Sequence, residues 1–410
     1  DGKLYFGGMQ QFALLALPER DSMELVTLQI LKKLVNDGLV LLGPAPTRML
    51  GAVEISKEQE AFDKLVLELW GDDTKNATGD SKVGKGRVLW GRNVGDVLGN
   101  LDVTPDLAST TASPTDIMYI HKRTQNEDIY FVFNQTEKVV TTELQFRVTG
   151  KQPEIWQAQT GEIKEQPIYV VEGNQTRIPV TFKPSESFFV VFRNASEKPH
   201  VTKVTKGNEN LFPEWERVSE AVPMAKYENG NIQFTSKTGG KYTFELNNGS
   251  KIEKNLAQPI EIDLGAGKTH LAFDPIYKAE IAAITMSPLK SITEIDDKAK
   301  QYFAGTLNYT IRFELTKEQL KQAESAFIDF GKFDATAAVK LNGKPIGKIW
   351  AHYTALPVGA LLQENNTLEV TLATTCRNRL IGDLREFGKI KTVFTTAPTV
   401  RNDMLRAEMP

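Results

Sequence analysis

Near the end of the chain, directly after the alternating run TLEVTLAT, stands CRNRLIGD, Cys376 to Asp383, which gathers two arginines, an aspartate and the single cysteine within eight residues. A cysteine acts as a nucleophile only beside an activating base. No histidine accompanies Cys376, which is expected as a small core residue. A guanidinium facing a carboxylate makes a short, charge-assisted bridge instead. Arg377 or Arg379 is expected to bridge Asp383, with Asn378 satisfying turn amides and Leu380 and Ile381 plugging the end of a β-sandwich. On that reading NRLIGD pins the final strands.

The other groups with chemical potential are scattered. Four histidines, at 121, 200, 270 and 352, show none of the short spacings that metal ligands take, so no metal is expected. GDDTKNATGD, Gly71 to Asp80, alternates Asp72, Thr74, Asn76 and Asp80. A calcium-hand loop starting at Asp72 would need glycine where Ala77 stands and a bidentate glutamate where Val83 stands, so a solvated loop is expected. VGKGRVLWG, with glycines at 84, 86 and 91, has neither the dinucleotide spacing nor a phosphate loop, and reads as the approach to a buried strand. No cofactor is called for. Carboxylates are so frequent that spacing singles out no acid and base pair, and no catalytic residue is assigned. Trp156, Trp215, Trp350 and Tyr353 offer the flat faces on which a pyranose ring stacks, although buried anchors of sandwiches use the same residues.

Something must position these groups, and the composition bounds what it is. The 410 residues suit two to four domains, and 40% hydrophobic with 25% charged residues is a globular profile. A net charge of -3, with Lys and Arg dispersed, provides no footprint for nucleic acid. The longest apolar runs, FALLAL and LVLLG, are far short of the ~20 residues of a membrane span. One cysteine excludes an internal disulfide and leaves the redox compartment open. The chain opens at Asp1 without the zones of a signal peptide, and reads as a fragment or a processed product.

In the first 110 residues, apolar runs alternate with helical periods. FALLAL (12 to 17), a helix from Ser22 to Asn36 with Ser22 as N-cap and Leu25, Leu28, Leu31 and Val35 on one face, and LVLL (39 to 42) predict a parallel crossover. A second helix from Lys57 to Trp70 and a strand from Arg87 to Trp90 complete an α/β layer. That layer invites comparison with flavodoxin and glutamine amidotransferase folds, but it has no cysteine and histidine pair and no phosphate cradle. It is expected without a ligand site. From 111 to 197, DIYFVFN, TELQFRV, TRIPVTF and SFFVVFR predict an antiparallel β-sandwich. Residues 198 to 298 read as a strand-rich connector with tight turns at Gly-Gly and Asn-Gly. From 299 to 410, runs such as NTLEVTLAT predict a second sandwich, a jelly roll.

The last hundred residues carry KQYFAGTLNYTIRFEL (300 to 315), IDFGKFDATAAVKLNGKPIGKIWAHY (328 to 353), ENNTLEV (364 to 370) and NRLIGD (378 to 383). In words and in order these resemble the C-terminal region of α-L-rhamnosidases of glycoside hydrolase family 106, with its galactose-binding-like jelly roll. The resemblance extends upstream through HKRTQNEDIYFVFN and FRVTGKQPEIWQAQTGE to LYFGGMQQFALLALPE, and so covers most of the chain.

The resemblance implies that the catalytic carboxylates lie in a barrel preceding the α/β layer, outside this sequence. The chain is then expected as a noncatalytic part of an α-L-rhamnoside hydrolase, buttressing the upstream catalytic barrel of the same protein and helping to shape its sugar site. A periplasmic or extracellular location is implied in the same way. Trp350, His352 and Tyr353 are the candidates for contact with carbohydrate. His121 and Arg123 are further candidates, reaching into the neighbouring barrel's sugar pocket. Asn378, Arg379 and Asp383 are expected to be structural. The alternative is a stand-alone carbohydrate-binding protein, favoured by exposure of Trp350 and Tyr353.

Overall fold

Alternation of period decides the architecture. In the computed structural model, which describes residues 4–6, 10–51, 55–72, 76–110, 116–214, 222–275 and 280–390, helical periods occupy the first hundred residues and strands nearly everything after them. The chain divides into two units, Asp1–Asp106 and Leu107–Pro410.

In the first unit β1 (Leu14–Ala16) leads into α1 (Leu25–Asn36), and β2 (Val40–Leu42) returns parallel to β1. After α2 (Ile55–Trp70), β3 (Gly79–Val83) turns into β4 (Gly86–Trp90), which adds parallel to β2 in the order β1-β2-β4-β3. Leu28, Leu31 and Val35 of α1 and Phe62, Leu69 and Trp70 of α2 are buried with Leu41 and Val88 of the sheet. Each such apolar side chain contributes roughly 1.5–3 kcal/mol by leaving water. The helix begins at Leu25 rather than Ser22, because Ser22–Glu24 is drawn into a parallel pair with Arg48–Leu50. The glycines of VGKGRVLWG serve the expected strand: a Cβ on Gly86 would meet the carbonyl oxygens of Val35 and Leu39 at 2.3 Å.

The second unit opens with two facing sheets. β5 (Leu107–Ser109), β6 (Ile117–Arg123), β7 (Asp128–Asn134), β8 (Val140–Phe146), β9 (Lys151–Gln157), β10 (Glu162–Glu165), β11 (Val170–Glu172), β12 (Gln175–Phe182) and β13 (Ser187–Ala195) form β6-β7-β13-β9-β10 and β11-β12-β8-β5. Inward positions of both sheets, among them Tyr130, Val132, Leu144, Phe146, Ile178, Phe182 and Phe192, share one core, as period-2 alternation requires. β5 pairs with β8, so the sandwich starts at residue 107 and not at 111.

The connector is a small β layer with its own core. β14 (Val201–Lys206), β15 (Glu209–Phe212), the hairpin β16 (Met224–Glu228) and β17 (Asn231–Thr235), β18 (Gly240–Leu246) and β19 (Lys251–Leu256) pack around Val204, Leu211, Phe212, Tyr242 and Phe244. It is joined to the sandwich by backbone pairing and ring stacking. Ile168 bridges Val201, and Tyr169 stacks on His200 with ring centroids 3.8 Å apart.

The last sheet contains β20 (Thr269–Pro275), β21 (Ile284–Met286), β22 (Gly305–Glu314), β24 (Thr336–Leu341), β25 (Lys344–Ile349) and β27 (Asn365–Ala373), with the pair β23 (Phe327–Asp329) and β26 (Ala355–Pro357) beside it. Its strand order is β21-β20-β22-β27-β24-β25. β20 pairs with β22 along its whole length, so the boundary expected at 298 cuts through this sheet, which begins at Thr269. The chain then enters α3 (Arg377–Phe387).

Candidate functional site

The most exposed chemistry of the last sheet lies where β25 ends. Ile349 is fully buried, and the next residue, Trp350, leaves the sheet with 60% of its surface exposed. The loop that follows is tied down at several points. Tyr353, in the left-handed region at φ 56°, donates its N–H to the Gly331 carbonyl at 2.6 Å. Its own carbonyl accepts from Lys183 Nζ at 2.7 Å, and the same ammonium lies 3.5 Å from Asp329. His352 Nε2 is 3.3 Å from Asp334 Oδ1. Trp350, His352 and Tyr353 thus share one braced loop, with an exposed indole beside an imidazole–carboxylate pair. An apolar plate next to donors and acceptors is the chemistry that binds a pyranose.

The structure places the His121 and Arg123 candidates elsewhere, on β6 around Asp128. That carboxylate accepts from Arg123 Nε at 2.7 Å and Lys151 Nζ at 3.0 Å, with His121 Nε2 at 3.3 Å. Burial works to raise the Asp128 carboxyl, but the hydrogen bonds and charges of Arg123 and Lys151 outweigh it and hold the group below its usual range. The His121 ring is stacked on Tyr130, with centroids 4.0 Å apart. His121 and Arg123 clamp a buried acid on the rim of their own sheet.

CRNRLIGD is helical rather than a turn. The final strand runs into α3, whose N-cap is Cys376, and that cysteine is exposed rather than part of a core. Asn378 therefore lies in the first turn of a helix. Arg379 and Asp383 sit four residues apart on this helix with Nη2 and Oδ1 3.3 Å apart, the carboxylate side chain 1% exposed and the guanidinium 39%. Ile381, Gly382 and Asp383 are the buried stretch. A Cβ on Gly382 would meet the Tyr302 ring at 2.5 Å, so glycine is what lets α3 lie on that residue.

Two further clusters escape sequence reasoning. Glu143 and Arg177 form a wholly buried ion pair, with Glu172 3.3 Å from the guanidinium and the Glu214 N–H donating to Glu143 at 2.8 Å. Burial pushes the Glu143 carboxyl up, against the pull of the Glu214 N–H and Arg177. Glu154, also buried, accepts from Arg193 Nε at 3.1 Å, Asn194 at 2.9 Å and the indole of Trp156 at 2.8 Å. The Arg193 guanidinium lies 5.0 Å over the Trp156 ring, so this tryptophan is covered on one side. Both acids stand at outward positions of alternating strands, where a charge is ordinary. Their burial comes from neighbouring segments that alternation does not reveal.

Trp215 and Thr74 lie outside the described residues. Asp80 is ion-paired to Arg87 across the β3–β4 hairpin. Among the described residues no group of three or more His, Cys, Asp or Glu could hold a metal ion, and no helix is long and apolar enough to cross a membrane.

Residues 1–170 match the family model described as alpha-L-rhamnosidase. Over its whole length the chain is similar to the solved rhamnosidase from Novosphingobium sp. PP1Y, at 26% identity with a TM-score of 0.64, and it covers 33% of that chain. Over 189 residues it is 32% identical to a Formosa agariphila protein that carries a beta-glucuronidase name, a match over 46% of this chain and 15% of that protein. The chain therefore spans about a third of the solved rhamnosidase and less of the curated relative. The resemblance read from the sequence holds: the chain is similar to rhamnosidases, in the family match over residues 1–170 and in the solved structure along its whole length.

Proposed function

We propose that this rhamnosidase-like chain is a noncatalytic C-terminal part of a glycoside hydrolase acting on α-L-rhamnosides, in which it supports an upstream catalytic barrel. One observation carries the reading. The buried acids among the described residues, Asp128, Glu143, Glu154 and Asp383, are each held by a cation, with backbone, indole or amide N–H groups adding to two of them. A glycosidase instead needs two carboxylates facing a sugar across open space. In this reading the general acid and base belong to the barrel, while Asp128, Glu143 and Glu154 link strands of this chain and Asp383 is braced within α3. The finer fold assignment goes with it: the first unit as a flavodoxin- or amidotransferase-like layer, the last sheet as a galactose-binding-like jelly roll. So does a periplasmic or extracellular location.

A second reading, a stand-alone carbohydrate-binding protein, is favoured by the exposure of Trp350 on its braced loop. One titration separates the two. Calorimetry with rhamnose and rhamnosyl oligosaccharides is expected to give no saturable heat from the clusters of buried acids. Saturable heat abolished by Trp350→Ala would select the binding module. Heat that survives Trp350→Ala and disappears with Glu154→Gln or Asp128→Asn would place a sugar among those acids and overturn the supporting role.

A further inference from the structure

β6 is the outermost strand of its sheet, and among the described residues it pairs with β7 alone. Sandwich edges are ordinarily guarded by charge, proline or a bulge, because an open strand invites another. The middle of β6 carries none of these. Met118, Tyr119 and Ile120 are 49%, 37% and 66% exposed, three consecutive apolar residues that leave both faces of the edge greasy. On the outer face the register continues inward from Ile120 to Phe131, Phe189 and Trp156, so the exposed residues are the rim of an apolar band.

The order of residues along this edge indicates what covers it. Met118, Ile120 and Lys122 alternate along one face of the strand, and Asp116 stands at the same two-residue spacing one residue before it: acid, apolar, apolar, base. Antiparallel pairing places residues of the same face opposite one another. If such a strand meets its own copy about a twofold axis at Tyr119, Asp116 faces Lys122, Met118 faces Ile120, and each pair occurs twice. A slip of one residue at each partner, centring the axis on Ile120, would set Met118 against Lys122 and lose both charge pairs. Register is thus specified by the sequence itself.

We propose that β6 is the docking edge for a second copy of this chain, joined antiparallel about Tyr119 into one continuous sheet. This is a self-complementary interface of the isologous kind, and it does not depend on the rhamnosidase reading. One strand of seven residues a side is small for an interface, so the association belongs to the weak, micromolar class.

Sedimentation equilibrium from about 1 to about 300 µM, a range chosen for that class, tests it. The weight-average mass of the wild type should climb toward twice that of one chain. Lys122→Asp and Asp116→Lys should each weaken association about tenfold or more, and the double variant D116K/K122D should restore it. With Cys376 replaced by serine, Tyr119→Cys should cross-link into a dimer on oxidation, whereas Cys at Thr124, beyond the pairing, should not. A wild type that stays monomeric throughout would overturn the proposal. So would a dimer indifferent to both charge reversals, or a double variant no better than the singles.

Discussion

At the residue scale, the charged groups that look most like chemistry are paired with groups of the chain itself, and their burial decides what each pairing is worth. Arg379 keeps access to water while Asp383 has none. Removing the arginine strands a buried carboxylate, whereas Asp383→Asn leaves a neutral group that still donates and accepts. Arg379→Met should therefore cost more than Asp383→Asn, about 2–4 kcal/mol against about 1–2, the exposed arginine lowering both below the value for a fully buried pair. The double variant should lose less than the sum. Urea midpoints of the three variants check both statements. This pair is legible in the sequence as two opposite charges four apart. The Glu143–Arg177 pair is not, since Arg177 and Glu143 come from different strands and the Glu214 segment completes the site from a third. Trp350 is the counter-case. With its ring largely in solvent, Trp350→Ala should move the melting temperature little, whereas Ile349→Ala next to it should cost about 2–5 kcal/mol.

At the element scale, strands are read from the sequence far better than their partners are. DIYFVFN alternates as a half-buried strand must, and β7 follows it residue for residue. The pairing of β20 with β22 spans a long intervening segment, and nothing in either strand announces it, which is why a boundary was expected inside the sheet. NRLIGD escapes as a helix for a different reason. Three consecutive buried residues, one of them glycine, match no amphipathic period. The contact of Gly382 with Tyr302 makes a sharp prediction: Gly382→Ala, which would favour an isolated helix, should destabilise this one because its Cβ meets the ring. A melting temperature raised by the alanine would contradict that packing. A second element-level prediction concerns the joint between sandwich and connector, where His200 is stacked on Tyr169. Burial pushes the His200 pKa down, so the folded protein holds the imidazole neutral while the unfolded chain protonates near its ordinary value of about 6.5. The unfolded state then binds more protons below that pH. The contribution is fully present above it and is lost as pH falls through it toward the lowered folded value. Stability measured from about pH 7.5 to about 5.5 should decline, and His200→Phe, which keeps the stack, should flatten the decline.

At the scale of the whole molecule, resemblance and physical reading converge from separate directions. The family match over residues 1–170 and the likeness to a solved rhamnosidase show what the chain is similar to, and the geometry shows its buried acids engaged with cations of the chain itself. Fold alone would not settle a role, since sites and scaffolds vary independently. What distinguishes a support from a catalyst is whether loss of a carboxylate is felt in stability or in rate. The decisive measurement is therefore made twice on the same samples: initial rates with an aryl α-L-rhamnoside and thermal melting, for the wild type and for Asp128→Asn, Glu143→Gln, Glu154→Gln and Asp383→Asn. The expected result is a rate at the buffer blank for all five proteins, with every variant melting below the wild type. A wild-type rate above the blank that one of these amides abolishes, at an unchanged melting temperature, would contradict it and make that acid a catalyst.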